Sequence, residues 1–242
     1  MRRLPESISK SSAGRCTASD FRGESAASLV LRPSCYSSRH ASGSNPLTWI
    51  NEFGGGVEIG SVKIHETPLA GVLLLEPKVF RDDRGFFLET FRKEVLERAG
   101  IRVDLVQDNH SRSVKGTIRA LHFQIPPGQP KLLRCARGSV FDVVVDLRKS
   151  SPTFGMTHSI ELSDENHLQV YIPAGFAHGF CVTSDIADVV YRCGSYYNPE
   201  LERGLAWDDP QLAIRWPADS PILSERDRNN PTLAQYPGPW FP

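Results

Sequence analysis

The sequence lacks long apolar runs and lacks an excess of either charge. Its longest apolar stretches, such as residues 69–75 and 141–145, are broken by glycine or by charge and are too short to cross a bilayer, so we expect no transmembrane segment. Lysine and arginine together number 28, as do aspartate and glutamate. No net field therefore attracts nucleic acid or a membrane surface, and a small molecule is the expected ligand.

Cysteine is sparse and forms no motif. The five cysteines stand at positions 16, 35, 135, 181 and 193, an odd count without C-x-x-C or paired cysteine–histidine spacing. This spacing argues against both a disulfide framework and a zinc site. We therefore expect a reducing compartment, and the cytoplasm is the predicted location.

The Gly-rich phosphate loop and the dinucleotide fingerprint are also missing. Instead, short apolar or alternating runs follow one another from residue 64 onward, separated by Gly, Pro, Asn and Asp. One helix is predicted at residues 92–99, with Gly100 as its left-handed C-terminal cap. This pattern predicts an all-β sandwich or barrel. The predicted strands are residues 72–75, 86–90, 104–107, 117–124, 132–135, 140–147, 157–162, 168–172, 179–183 and 188–193.

Residues 1–60 differ from the rest of the chain. Twelve serines fall within the first 45 residues, hydrophobic periodicity is absent, and Gly54-Gly55-Gly56 closes the segment. This composition predicts a disordered extension, followed by a single domain at residues 61–242. Seven basic against three acidic residues in the first 45 weakly resemble an organellar transit peptide. A non-functional extension or a misplaced start explains the composition equally well.

Two stretches place histidines at the ends of predicted strands. In residues 172–180, Pro173 and Gly175 form a turn that aims His178 inward, and this P-x-G-x-x-H pattern resembles the second signature of the cupin superfamily. A turn before a core histidine is the alternative. In residues 119–131, a metal-binding cupin would have H-x-H and a glutamate, but His122 is followed by Gln124. Most metal ligands are missing, so a metal is not expected.

The residues around His122 favour proton transfer. A histidine has an unperturbed pKa of about 6.5, which suits a general base near neutrality. Such a base needs an orienting partner, a proton donor and groups that stabilise negative charge. Asp227 is the candidate for the first role, Tyr191 for the second, and Lys131 and Arg119 for the third.

Each partner also has a purely structural explanation. Lys131 follows Gln-Pro and fits a solvated turn. Arg119 lies an odd number of positions from His122, so strict alternation puts the two on opposite faces unless a bulge or the strand end intervenes. Tyr191 fits a core residue with a satisfied hydroxyl, and Asp227 fits a capping box that begins at the serine three residues earlier.

Taken together, the motifs resemble those of one family, the dTDP-4-dehydrorhamnose 3,5-epimerases, over residues 68–232. The resemblance implies a metal-free cupin jelly roll, commonly a homodimer. It also implies inversion of C3 and C5 of a 4-keto-6-deoxyhexose on thymidine diphosphate, without a cofactor. The stretches that carry it are EPKVFRDDRGFFLETF (76–91), VQDNHSRS (106–113), TIRALHFQ (117–124), KLLRCARGSVFDVVVDLRKSSPTFG (131–155), LSDENHLQVYIPAGFAHGF (162–180), VVYRCGSYYNPELERGLAWDDP (189–210), IRWP (214–217) and LSERD (223–227).

The resemblance also implies a role for each matching residue. His122 is the expected base, Tyr191 the acid on the opposite face of the sugar, Asp227 the partner of His122, and Lys131 the group that stabilises the enolate oxygen. The expected substrate-binding residues are Arg84, Glu89, Gln107, Asn109, Arg119, His178, Glu202 and Arg226.

The sequence departs from the family pattern in three places. Ala120 replaces the usual glycine and is expected to add a methyl group beside the site. Residues 124–131 are about one residue shorter than usual, and residues 198–204 about one longer, which bears on Glu202. These departures keep open a relative that inverts only one carbon. A metal-dependent cupin enzyme, which Gln124 disfavours, and a non-catalytic nucleotide-sugar binder are two further interpretations.

Overall fold

The computed structural model describes residues 56–242. Most of the predicted extension, residues 1–55, lies outside the described residues. Residues Val57–Ile59 form the first strand, and Gly60, with φ of +65°, turns the chain into the second, so the predicted boundary falls inside a hairpin.

The described residues contain fourteen strands and two short helices. The strands are β1 Val57–Ile59, β2 Val62–Glu66, β3 Leu73–Pro77, β4 Val79–Asp82, β5 Gly85–Leu88, β6 Gln107–Val114, β7 Ile118–Gln124, β8 Lys131–Arg137, β9 Ser139–Asp146, β10 Thr157–Ser163, β11 Gln169–Ile172, β12 Phe176–Val182, β13 Ile186–Cys193 and β14 Glu202–Gly204. The helices are α1 Lys93–Arg98 and α2 Glu225–Arg228.

Two antiparallel sheets pack face to face and confirm the predicted all-β fold. The larger sheet has the order β1-β2-β3-β11-β8-β13-β6, and the smaller has the order β10-β9-β12-β7-β14. Strands β4 and β5 form a separate hairpin. Apolar residues from the inner faces of both sheets, including Leu133, Val144, Phe180 and Val189, fill the space between them.

Nine of the ten predicted strands and the helix are confirmed in position. Gly100 has φ of +83° after α1, as a left-handed cap requires. The strand predicted at 104–107 is wrong, because the strand in this region begins at Gln107 and runs to Val114. Its half-buried or buried positions carry Gln107, Asn109, Ser111 and Ser113, so no apolar alternation marks it. Strands β1, β2, β4 and β14 were not predicted.

The C-terminal segment covers the outer face of the smaller sheet. Leu205, Leu233 and Tyr236 pack there in one apolar cluster with Phe123 and Val145. At the start of β7 the backbone N–H of Ile118 donates to the carbonyl of Ile222 at 3.0 Å. Helix α2 begins three residues after Ile222, and this pairing brings it against β7.

Candidate active site

His122 and Asp227 form a hydrogen-bonded pair at the contact between β7 and α2. The Nε2 of His122 lies 2.6 Å from Oδ1 of Asp227, whose side chain is buried. Ser224 caps α2 by accepting from the backbone N–H of Asp227 at 3.1 Å. Only the serine half of the capping box predicted from the sequence is present, because the Asp227 carboxylate binds the imidazole of His122 and not the backbone N–H of Ser224.

A β-bulge puts Arg119 on the same side of the sheet as His122. His178 pairs with His122 and Phe180 pairs with Arg119, so between these pairs two residues of β7 stand opposite the single residue Gly179 of β12. Strict alternation, which predicted opposite faces, fails at this bulge. Both side chains line a cleft of about 280 Å³, which also borders Asp227.

Ala120 does not itself line the cleft. It is fully buried in the outer apolar cluster, whose members Ile118 and Leu223 border the cleft. It packs against Gly179 of β12, where a Cβ atom would lie 2.6 Å from the Ala120 Cβ. Glycine at 179 therefore allows the two strands to approach closely at the bulge.

Tyr191 and Lys131 belong to the opposite sheet. Tyr191 of β13 packs against the inner core, and burial raises the pKa of its hydroxyl above the usual value. The charge of Glu202 also raises the pKa of Tyr191, whereas the charge of Arg119 lowers it. A hydroxyl with a raised pKa keeps its proton at neutral pH, as a proton donor must.

Lys131 opens β8 and is half-buried, so its interpretation as a solvated turn residue is wrong. Burial lowers the pKa of its ammonium, and the nearby Cys193, Glu202 and Asp142 oppose that shift. Within residues 56–242, its Nζ makes no hydrogen bond or ion pair. This cation is therefore available to a negatively charged ligand.

A chain of hydrogen bonds joins β6, β14 and α2 at the rim of the site. Glu202 Oε2 accepts from Arg226 Nη1 and from the Tyr197 hydroxyl, each at 2.7 Å. The backbone N–H of Tyr197 donates to Gln107 Oε1 at 2.8 Å, and Gln107 Nε2 donates to Asn109 Oδ1 at 3.1 Å. Four of the expected binding residues, Gln107, Asn109, Glu202 and Arg226, therefore belong to one hydrogen-bond network. Tyr197, which sequence reasoning missed, links Glu202 to Gln107.

The family model described as dTDP-4-dehydrorhamnose 3,5-epimerase matches residues 66–235. The chain belongs to this family. The enzyme of that name from Shigella flexneri is 52% identical over 170 residues, which cover 69% of this chain and 94% of the relative. The family resemblance and the epimerase class predicted from the motifs are confirmed.

Solved structures and other relatives extend the comparison. One similar structure is the dTDP-6-deoxy-D-glucose-3,5-epimerase from Legionella pneumophila, which was solved in complex with dTDP-4-keto-L-rhamnose. It is 46% identical to this chain and superposes with a TM-score of 0.70. The match covers 72% of this chain and 93% of the Legionella chain. A dTDP-4-dehydrorhamnose 3-epimerase from Streptomyces niveus is 41% identical over 176 residues, covering 72% of this chain and 85% of the relative. The fold of this epimerase family therefore also carries single-carbon enzymes.

Two expected binding residues of the epimerase lie away from the cleft. Arg84 pairs with Asp82 in the β4–β5 hairpin, and Glu89 pairs with Arg92 at 2.6 Å just after it. Neither lines the cleft beside His122. Within the described part of one chain, these two residues are therefore not assembled with the others.

Sequence reasoning missed one further ionisable group of the epimerase interior. Asp142 of β9 is fully buried, and its Oδ2 lies 2.8 Å from Nε2 of His178. The available signal was one carboxylate inside the apolar run 140–145. Among the described residues, no three His, Cys, Asp or Glu side chains converge as a metal site, and no helix is long and apolar enough to span a membrane.

Proposed function

We propose that this epimerase inverts C3 and C5 of dTDP-4-keto-6-deoxy-D-glucose to give dTDP-4-keto-L-rhamnose, in the biosynthesis of dTDP-L-rhamnose. The observation that carries the proposal is the His122–Asp227 pair at 2.6 Å beside the cleft. Family membership and the Legionella complex support the substrate class.

The first step is removal of a proton by His122. Hydrogens on C3 and C5 are acidic because both carbons flank the C4 ketone. Asp227 accepts a hydrogen bond from Nε2–H of His122, which leaves a lone pair on Nδ1 for the substrate proton. The carboxylate also stabilises the imidazolium that forms.

Lys131 stabilises the enolate produced by that step. Lys131 is half-buried and its ammonium has no ion-pair partner among the described residues, so its charge is available to the C4 oxygen. One such preorganised group typically contributes about 3–4 kcal/mol to transition-state stabilisation. Because C4 is shared by both enolisations, one cation serves both carbons.

Tyr191 returns a proton to the opposite face of the sugar. It lies on the sheet that faces His122, and its raised pKa keeps the hydroxyl protonated before transfer. Proton removal from one face and return from the other inverts each carbon. No oxidant or reductant enters this balance.

The diphosphate and the nucleoside bind at the rim. Arg119 and Arg226 both line the cleft, and guanidinium groups bind phosphate oxygens in bidentate fashion. The nucleotide sugar also contacts the Glu202 carboxylate, which Tyr197 and Arg226 hold in place. The side-chain amides of Gln107 and Asn109 supply uncharged contacts to the same ligand. His178 contacts the sugar from the strand beside His122.

The enzyme acts as a homodimer. The β4–β5 hairpin exposes Phe86 and Phe87 at 55% and 70%, which is unfavourable for an isolated chain. A second copy of the chain would cover these rings. Arg84 and Glu89 do not line the cleft of their own chain, and in the dimer they would bind the substrate in the partner's cleft. Location in the cytoplasm stays a prediction.

The alternative is a single-carbon epimerase, favoured by the 41% identical 3-epimerase of Streptomyces niveus. The test is incubation of the full chain with dTDP-4-keto-6-deoxy-D-glucose and assignment of the product by NMR coupling constants. Inversion at both carbons supports the proposal, inversion at one supports the alternative, and unchanged substrate overturns both.

A further inference from the structure

The barrel interior holds a second histidine–carboxylate pair, and the proposed mechanism leaves its carboxylate without a role. Asp142 Oδ2 accepts from Nε2 of His178 at 2.8 Å. Asp142 is fully buried, and its neighbours at the inward positions of β9 are Val140 and Val144, which belong to the inner core. A valine would continue that core, so packing does not explain the carboxylate.

The Asp142 carboxylate is only partly satisfied. Its Oδ1 is buried and has no hydrogen-bond partner among the described residues. Lys131 acts on Asp142 through space, but forms no ion pair with it. Burying a charged oxygen without a partner is unfavourable, so the residue costs stability and needs a functional explanation.

The position of His178 supplies that explanation. His178 and His122 are cross-strand partners in the β7–β12 ladder, so their side chains project side by side from the sheet. The same ladder pairs His178 with Val144 of β9, two residues from Asp142. Asp142 therefore approaches His178 from the side opposite His122, and the sugar-facing part of the ring is left free.

We infer that Asp142 is a positioning residue for the epimerisation. By accepting the Nε2 proton, it fixes both the orientation and the tautomer of the His178 ring, so that Nδ1 presents a lone pair to a hydroxyl group of the bound sugar. The inference rests on the proposed function for the identity of the ligand. Asp142 itself does not touch the reacting atoms.

The first test needs no substrate and therefore separates this inference from the proposed function. The full chain is labelled with ¹⁵N-histidine, and long-range ¹H–¹⁵N spectra are recorded, with His178 assigned from a His178→Gln variant. We expect the His178 proton on Nε2 in the wild type. A proton on Nδ1, or the same spectrum in Asp142→Leu, would overturn the inference.

Conservative and apolar replacements separate orientation from charge. In the Asp142→Asn variant the side-chain amide oxygen can still accept from Nε2 of His178, because no backbone donor competes for it. We therefore expect Asp142→Asn to keep the tautomer and kcat/KM within about threefold, whereas Asp142→Leu lowers kcat/KM about 10- to 100-fold. Equal losses in both variants would show that charge, and not orientation, is what matters, and would contradict the inference.

Val144→Ala provides a matched packing control at the residue that pairs with His178. It removes apolar volume from the same inner face without touching the hydrogen bond. We expect it to lower the melting temperature while leaving the His178 tautomer unchanged. A tautomer change in Val144→Ala equal to that in Asp142→Leu would show that local packing sets the ring, and would refute a specific role for Asp142.

Discussion

His122 and Asp227 stand 105 residues apart in the chain, yet their side chains meet at 2.6 Å. The contact exists because the C-terminal segment packs on the outer face of the smaller sheet and pairs with the start of β7 through Ile222. The short helix α2 then turns Asp227 toward the cleft while Ser224 caps its backbone. The proposed catalytic pair thus depends on the packing of the C-terminal segment against β7.

Asp227→Asn should lower kcat by about 10²- to 10⁴-fold with little change in KM, because the neutral amide no longer stabilises the imidazolium that forms when His122 takes up the substrate proton. Steady-state kinetics with the 4-keto sugar nucleotide measures this. Ser224→Ala is the matched control, since it removes the cap of the same helix and keeps the carboxylate. It should cost about 1 kcal/mol of stability and little activity. Equal activity losses in the two variants would contradict the assigned role.

Lys131→Met should separate activity from stability. In the proposed mechanism its ammonium stabilises the enolate, so its loss should lower kcat about 10²- to 10³-fold. Removal of an unpaired buried charge should leave the melting temperature unchanged or raise it. A large fall in melting temperature would show that Lys131 is structural.

The same residue predicts a pH dependence of stability. The pKa of Lys131 in the folded chain is lowered from 10.5, so between the two values the unfolded chain binds more protons than the folded one. The wild type should therefore gain stability relative to Lys131→Met as pH rises through this window. Urea titrations of both proteins at several alkaline pH values check the sign. A constant difference would contradict it.

Tyr191→Phe should uncouple exchange from inversion. The base remains, so in heavy water the α-hydrogens should still exchange, but inversion should fall about 10²- to 10⁴-fold because the opposite-face acid is missing. NMR gives both quantities from one sample. Full inversion by this variant would rule out Tyr191 as the acid.

Gly179→Ala tests the bulge. Its Cβ atom would lie 2.6 Å from the Ala120 Cβ and 2.8 Å from both the Ala120 Cα and the Arg119 carbonyl oxygen, so the strands must separate. We expect a loss of about 1–3 kcal/mol in the free energy of unfolding, measured in urea, together with lower activity because Arg119 and His122 shift. The double variant with Ala120→Gly removes the shortest of the three contacts and should recover part of both losses. No recovery would argue against the Ala120 contact as the cause.

The fold was predictable wherever strands bury apolar residues on one face. Strands β9 and β13 were found on that basis, whereas β6 was missed because its inward side chains are polar. The hairpin β4–β5 is largely exposed, so its first strand carries no core signal.

The residues of the candidate site could be predicted from motifs, but their arrangement in space could not. His122, Tyr191, Lys131 and Asp227 were expected from the family resemblance. The bulge that aligns Arg119 with His122 depends on the close approach of Gly179 and Ala120, which no spacing rule reveals. Asp142 lies in an apolar run of the sequence and was not predicted. Its contact with His178 depends on the pairing of β9 with β12, which the sequence does not reveal.

Solvent deuterium incorporation tests the role of His122 most directly. The wild type, His122→Ala and, as a control, His110→Ala on an exposed part of β6 are incubated with the 4-keto sugar nucleotide in heavy water. NMR should show deuterium at both C3 and C5 for the wild type and for His110→Ala, and at neither carbon for His122→Ala. Deuterium at either carbon with His122→Ala at the wild-type rate would contradict the assignment of His122 as the base.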